Sequence, residues 1–295
     1  MSLDKLSLAD WIKAAEAQAL PFTDFCIAVQ AKELAVPAAE LVDRMEAILM
    51  VMEESIAAGL KGPRSKGGLV GGDASKLERY LRGTGKTLMG DFIGKAVAYS
   101  LAVGEANAAM SRIVAAPTAG SSGVLPGILY ALHEEHGFSK RDLAKGLVVA
   151  GAIGMVIASR ASLAGAAGGC QAECGSAGAM AAGSIVALSG GAPAQIGHAV
   201  AITIKNMLGL VCDPVAGLVE VPCVKRNAGA VAQAVIAAEM ALAGIESVIP
   251  VDEVIDAMDS VGQSMHCSLK ETAQGGLAVT PTGLALTEKI FGNIK

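Results

Sequence analysis

Aromatic side chains are scarce in this chain of 295 residues, where Phe, Trp and Tyr together make up only 3%. Apolar residues nevertheless account for 53%, and there are 36 glycines, so the apolar content comes mainly from small and aliphatic side chains. Val/Ile-rich alternation between turn residues is also missing, and the one extended-looking stretch, residues 218–224, is too short to found a sheet. The sequence predicts a mainly α fold with little or no sheet, whose small side chains let helices approach closely.

An excess of positive charge is absent. The chain carries 23 Lys and Arg against 28 Asp and Glu, for a net charge of -5, and the two signs alternate without a basic stripe. Nucleic-acid binding needs cations along the phosphate backbone and usually aromatic rings for the bases. With one Trp and three Tyr, the sequence argues against a nucleic-acid partner.

The N-terminal segment lacks the basic region and apolar run of an export signal. The most apolar run, residues 146–158 between Lys145 and Arg160, is shorter than the roughly 20 residues that a membrane span requires. We therefore expect a buried helix there, no membrane association and a cytoplasmic location. Six cysteines in such a compartment should be reduced thiols.

The chain is predicted to form one helical domain over residues 1–295. Residues 1–60 show helical periodicity and predict two or three amphipathic helices. Residues 61–72 (KGPRSKGGLVGG) predict a Gly/Lys-rich loop, a lid or a partner contact, that ends at Asp73 as a helix N-cap. Residues 89–295 alternate Ala-rich helices with Gly-rich breaks and are predicted to be the ligand-binding core, since function concentrates at such breaks.

Four of the cysteines lie in these breaks. Cys212 and Cys223 flank the sequence DPVAGLVEVP, whose Pro and Gly residues permit a loop that brings both thiolates to one centre, and Cys170 and Cys174 share another Gly-rich turn. The thiols could also be ordinary buried side chains or a structural zinc site, although zinc sites commonly use two closely spaced pairs. Three thiolates on a 4Fe-4S cluster would leave one iron open, as Lewis-acid catalysis requires.

The break APTAGSSG, residues 116–123, offers backbone N–H groups and hydroxyls at a glycine-permitted turn. Such a turn suits a substrate carboxylate, although a plain helix-capping loop would look the same. The candidate substrate-binding residues are Thr118, Ala119, Gly120, Ser121 and Ser122.

A general base is not singled out by spacing, and it could come from a partner chain. The titratable side chains near the motifs are Lys205, Lys225, His198, His266 and Lys270. The pair Lys225 and Arg226, directly after Cys223 and Val224, could instead hold a carboxylate, compensate the charge of a cluster, or form a solvated helix end.

Four segments in order along the chain resemble the signature segments of the iron-sulfur L-serine dehydratases. They are AAPTAGSSGVLPGIL (115–129), GGCQAECGSAGAMAAG (168–183), NMLGLVCDPVAGLVEVPCVKRNA (206–228) and KETAQGGLAVTPTG (270–283). The resemblance implies a 4Fe-4S cluster on Cys170, Cys212 and Cys223. Cys174 departs from the family motif, where a small aliphatic residue is usual, and is interpreted as an incidental neighbour or an alternative ligand.

What the resemblance implies for function is a lyase independent of pyridoxal phosphate. Iron would bind the hydroxyl of L-serine and a base would remove the α proton, giving aminoacrylate and then pyruvate and ammonia. The chain resembles the catalytic α subunit of two-chain members, so a β subunit is implied, in a hetero- or homo-oligomer.

Three rival functions remain open at this point. A pyridoxal phosphate enzyme would need a Schiff-base lysine and, in the familiar folds, a parallel sheet, for which the sequence shows no alternating pattern. A related cluster lyase acting on L-cysteine would need the same residues. A non-catalytic scaffold subunit would leave the cysteines without metal.

Overall fold

The computed structural model describes residues 6–84 and 87–292, and in these residues all regular secondary structure is helical, with thirteen helices and no strand. The mainly α prediction is confirmed. Residues 218–224 form bends and a turn that lead into a helix. The helices are α1 (Leu8–Ala17), α2 (Phe22–Glu33), α3 (Ala38–Leu60), α4 (Asp73–Thr84), α5 (Gly90–Ala108), α6 (Val124–His136), α7 (Lys140–Arg160), α8 (Gly165–Gly168), α9 (Ser176–Leu188), α10 (Pro193–Met207), α11 (Cys223–Leu242), α12 (Val251–Ser264) and α13 (Pro281–Phe291).

Local sequence explains where several helices begin. The Ser7 side chain accepts a hydrogen bond from the Asp10 N–H at 3.0 Å and caps α1. Ser139 caps α7 together with Asp142, and α10 and α13 each begin with proline, whose fixed backbone angle suits a first helical position. The N-terminal part forms three helices, α1 to α3, within the predicted range.

Small residues allow the helices to pack closely. A Cβ atom on Gly59 in α3 would lie 1.8 Å from the backbone oxygen of Ala102 in α5, and one on Gly127 in α6 would lie 2.5 Å from that of Ala96. Helix α9 is buried along nearly its whole length and contacts α7, α10 and α11. The low aromatic content is therefore consistent with helix interfaces in which small residues let the backbones of neighbouring helices pack closely.

Helix α7 is long and apolar enough to cross a membrane by length and composition alone. However, 67% of its most apolar stretch is buried inside the protein, where Ile153 and Ile157 are fully enclosed. This burial is typical of the central helix of a helical core.

Two buried carboxylates hold the Gly/Lys-rich loop, residues 61–72, against the helices. Glu220 accepts hydrogen bonds from the Ser65 hydroxyl at 2.5 Å and from the N–H groups of Gly67 and Leu69 at 2.7 and 3.0 Å. Glu105, fully buried in α5, accepts from the N–H groups at the start of α4. The prediction that Asp73 is the N-cap of α4 is wrong. Asp73 is the first residue of the helix, and the carboxylate that accepts the N–H groups there belongs to Glu105 of α5.

Three breaks between helices lie together. The turn at Ala119–Ser121 precedes α6, the wide turn at Gln171–Gly175 lies between α8 and α9, and both contact the α11 helix that follows the third break, residues 208–222. The packing of α5, α6, α9 and α11 therefore brings together segments that are more than 100 residues apart in sequence.

Candidate active site

The three cysteines predicted as cluster ligands come from three different local structures. Cys170 immediately precedes the wide helical turn at Gln171–Gly175, a π-type turn of the kind often found at functional sites. Cys212 lies in the irregular segment after α10, where its N–H donates to the Leu269 carbonyl oxygen at 2.9 Å. Cys223 is the first residue of α11. Cys170 and Cys212 are each only 3% exposed.

The three thiols lie close enough for their charges to interact. Burial raises the pKa of Cys212, and the neighbouring Cys170, Glu173 and Cys223 raise it further. Burial likewise raises the pKa of Cys223 to about 12, again assisted by Cys170 and Glu173. Each thiolate therefore disfavours the others, and a bound cation would relieve this repulsion.

The positions of the three thiols bear on whether they could hold a single metal ion or a 4Fe-4S cluster. Across residues 6–84 and 87–292, no three His, Cys, Asp or Glu side chains converge on a point where they could hold one metal ion. A 4Fe-4S cluster is larger than a single ion, and its cysteine ligands bind separate irons. Three thiols, two of them buried and that of Cys223 partly buried, interact without converging on one point, and this fits a cluster better than a zinc ion.

Arg226 supplies positive charge beside this group. Its Nη2 donates to Asp213 Oδ1 and its Nη1 to the Val211 carbonyl oxygen, both at 2.7 Å. Hydrogen bonding from Cys174 lowers the pKa of Cys170 despite burial, and the positive charge of Arg226 lowers it further. Of the two basic residues predicted to compensate the charge of a cluster, Arg226 lies beside the thiols. Lys225 is exposed and pairs with Asp73 at 2.9 Å.

Cys174 lies beside Cys170 and is 1% exposed. The hydrogen bond with Cys170 raises the pKa of Cys174, and burial raises it further. The structure places Cys174 as a hydrogen-bonding neighbour of the predicted ligand.

The turn predicted to bind substrate borders the thiols. Thr118 Oγ1 donates to Glu173 Oε1 at 2.8 Å and lies 3.1 Å from Ser121 Oγ. The Ser122 hydroxyl is buried and has no hydrogen-bond partner among the described residues. The turn is anchored from α11 by Asn227, whose amide donates to the Gly120 carbonyl oxygen at 2.7 Å and accepts from the Gly123 N–H at 2.9 Å.

Glu173 and Asn227 are site residues that the sequence reasoning did not single out. A Cβ atom on Gly120 would lie 3.1 Å from Glu173 Oε1, and one on Gly165 would lie 2.7 Å from Glu173 Oε2 and 3.1 Å from Cys212 Sγ. The carboxylate therefore stands between the turn and the thiol of Cys212. Its position between two cysteines in the CQAEC sequence was the available signal.

The five candidates for the general base are dispersed. Lys205 donates to the Ser247 carbonyl oxygen at 2.5 Å and His198 accepts from the Ser247 N–H, both on α10. Lys225 pairs with Asp73, and His266 is exposed and caps a short turn through Ser268. Lys270 follows Leu269, whose carbonyl oxygen accepts from the Cys212 N–H, so it is the candidate whose neighbouring backbone contacts a predicted cluster ligand.

Comparisons with known proteins show the family to which the chain belongs. A family model described as "Serine dehydratase alpha chain" matches residues 4–278. The "Probable L-serine dehydratase, alpha chain" of Bacillus subtilis (strain 168) is 57% identical over 253 residues, covering 86% of this chain and 84% of that protein. The "L-serine dehydratase, alpha chain" of Peptoniphilus asaccharolyticus is 47% identical over 245 residues, covering 83% and 84% respectively.

Another relative is a longer protein, of which this chain matches about half. The "L-serine dehydratase" of Streptomyces coelicolor is 40% identical over 242 residues, which cover 79% of this chain but only 53% of that protein. The chain belongs to the serine dehydratase alpha-chain family.

Proposed function

We propose that this chain is the catalytic subunit of an L-serine dehydratase that converts L-serine to pyruvate and ammonia without pyridoxal phosphate. Family membership supports the reaction class, and the printed names of the relatives support L-serine as the substrate. The observation that carries the proposal is the grouping of three interacting thiols beside the 118–122 turn, joined by the hydrogen bond between Thr118 and Glu173.

The proposed cofactor is a 4Fe-4S cluster held by Cys170, Cys212 and Cys223. When bound, such a cluster supplies a Lewis acid that makes the serine hydroxyl a better leaving group. The protein's own contribution is to bury Cys170 and Cys212 and to enclose Cys223 in part, to place the positive charge of Arg226 beside them, and to hold the proposed substrate-binding turn next to them. Because burial removes water, the charge of Arg226 acts on Cys170 more strongly than it would at the surface.

The turn at residues 118–122 is proposed to bind the substrate carboxylate. In the described residues, the N–H groups of Ala119 and Gly120 have no acceptor, whereas those of Ser121 and Ser122 bond within the turn. Hydroxyls of Thr118 and Ser121 lie on the same turn. Unpaired N–H donors of this kind suit a carboxylate oxygen.

A β subunit is proposed to complete the enzyme, as the alpha-chain family implies. None of the five base candidates in this chain is held against the thiols by a hydrogen bond, so the partner is proposed to contribute to proton abstraction. A reducing compartment such as the cytoplasm is proposed because the thiols must remain free.

The test is anaerobic co-expression with the β chain, followed by iron and sulfide analysis and a pyruvate assay on L-serine and L-cysteine. Wild type should contain about four irons per α chain. Replacing Cys170, Cys212 or Cys223 by Ala should remove iron and turnover, whereas Cys26→Ala, at a buried thiol of α2, should retain both. A wild-type complex without iron and turnover would contradict the proposal, and faster turnover of L-cysteine would assign the alternative substrate.

A further inference from the structure

The carboxylate of Glu173 occupies the space between the substrate-binding turn and the thiol of Cys212. One carboxylate oxygen lies 3.1 Å from where a Cβ on Gly120 would be, and the other lies 2.7 Å from where a Cβ on Gly165 would be. Cys212 Sγ lies 3.1 Å from the same Gly165 Cβ position. A side chain at either position would crowd the carboxylate. The side chain is half-buried, so it remains accessible to a small ligand.

This carboxylate has no cationic partner within residues 6–84 and 87–292. Thr118 is its one hydrogen-bond donor there. Arg226 is committed to Asp213 and the Val211 carbonyl oxygen, and Lys225 to Asp73. Burial raises the pKa of Glu173, and the charge of Glu271 adds to the effect. The ionised carboxylate therefore lacks charge compensation here, and a cationic ligand group beside it would supply that compensation.

The charge on Glu173 is not needed to hold the turn. Thr118 Oγ1 also lies 3.1 Å from Ser121 Oγ, and Asn227 anchors the turn independently through Gly120 and Gly123. A neutral amide oxygen in place of the carboxylate would still accept the hydrogen bond from Thr118. A glutamine at position 173 could therefore hold the turn equally well. A carboxylate differs from it in being able to carry a negative charge, which suits a cationic ligand group.

We infer that Glu173 binds the α-ammonium group of the substrate amino acid. The inference rests on the proposed serine dehydratase function and adds a residue for substrate recognition. The substrate carboxylate would lie on the N–H groups of the turn, and the ammonium would lie between Thr118 and Cys212, so Glu173 selects α-amino acids over hydroxy acids. Glu173 is a substrate-binding residue in this arrangement, and proton abstraction is left to another group.

The test uses the reconstituted complex of this chain with its β subunit and two unreactive parts of the substrate. L-Alanine keeps the ammonium and lacks the hydroxyl, whereas 3-hydroxypropanoate keeps the hydroxyl and lacks the ammonium. Calorimetry measures the binding of each compound to wild type, Glu173→Gln, Glu173→Asp and the control Glu271→Gln, whose carboxylate is exposed nearby.

Glu173→Gln should weaken L-alanine binding about 10- to 100-fold, as expected for loss of a charge-assisted hydrogen bond, and should change 3-hydroxypropanoate binding less than about 3-fold. Glu173→Asp should show a smaller loss, and Glu271→Gln should resemble wild type. Equal losses for both compounds, or no loss for L-alanine, would overturn the inference while wild-type turnover of L-serine left the proposed function standing. If wild type neither bound these compounds nor turned over L-serine, the proposed function would fail and the inference with it.

Discussion

The side-chain amide of Asn227 donates to the carbonyl oxygen of Gly120 at 2.7 Å, although the two residues are 107 positions apart in the chain. The same amide donates to the Cys223 carbonyl oxygen at 2.9 Å, and its oxygen accepts from Gly123. One buried side chain therefore sets the position of the proposed substrate-binding turn relative to the helix that begins with a predicted cluster ligand.

Replacing Asn227 by Ala should destabilise the protein and disturb the turn. Three hydrogen bonds are lost, one of them buried and two partly buried, so the free energy of unfolding should fall by about 2–4 kcal/mol. Urea denaturation measures the change. Asn206→Ala is the matched control, because Asn206 is exposed and bonds only the Gln233 side chain, and it should stay within about 0.5 kcal/mol of wild type. Equal effects at both positions would contradict the role of Asn227.

Replacing Glu220 by Gln should loosen the loop of residues 61–72. Glu220 accepts three hydrogen bonds from this loop, and an amide NH₂ group would face a donor at one or more of them. Trypsin should then cleave faster after the exposed Arg64 and Lys66, by about 10-fold if the loop loses roughly 1.4 kcal/mol of stabilisation. The comparison is with Glu246→Gln, at an exposed glutamate outside the loop. Unchanged cleavage in the Glu220 variant would show that the backbone alone holds the loop.

Arg226 should set the pH dependence of iron uptake. Its charge lowers the pKa of Cys170, and a thiol must lose its proton to bind iron. Arg226→Gln therefore raises that pKa, protons compete more strongly with iron, and the pH midpoint of anaerobic cluster reconstitution should rise by about 1 unit or more. Iron content measured across a pH series gives the midpoint.

Two controls accompany this experiment. Arg226→Lys keeps a positive charge and should shift the midpoint less, and Arg112→Gln removes an exposed arginine and should not shift it. Arg226→Gln also leaves Asp213, which is 4% exposed, without its ion-pair partner, so stability must be measured in parallel. A midpoint equal to wild type in a folded Arg226→Gln variant would show that its charge does not act on Cys170.

Replacing Cys174 by Ala should distinguish a neighbour from a ligand. Because Cys174 is interpreted as a hydrogen-bonding neighbour of the proposed ligand Cys170, the variant should retain about four irons per chain. Loss of this hydrogen bond to a ligand sulfur should change the reduction potential of the cluster. Electron paramagnetic resonance during a redox titration measures it. Loss of iron to the level of the Cys170→Ala variant would instead make Cys174 a ligand.

The amino-acid sequence by itself determined the helical fold and the kinds of residue in the site. Helical periodicity, capping residues such as Ser7 and Ser139, and the scarcity of aromatic side chains are local properties, so they predict α1 and α7 without tertiary information. The cysteines and the 118–122 turn lie in short Gly- and Pro-rich breaks, and such breaks are visible in the sequence. Their resemblance to a family motif predicts the ligands, but no local pattern could show that the three thiols lie close enough for their charges to interact.

Only the tertiary structure decided which residues face one another. Glu173 lies beside Gly120 and Gly165 because the turn at Gln171–Gly175 packs against the turn at Ala119–Ser121. Asn227 reaches Gly120 because α11 also contacts the Ala119–Ser121 turn. The same packing makes Glu105 the acceptor for α4 in place of Asp73. These contacts join residues far apart in the chain through close helix packing, and a periodic pattern carries no information on which helices will be neighbours.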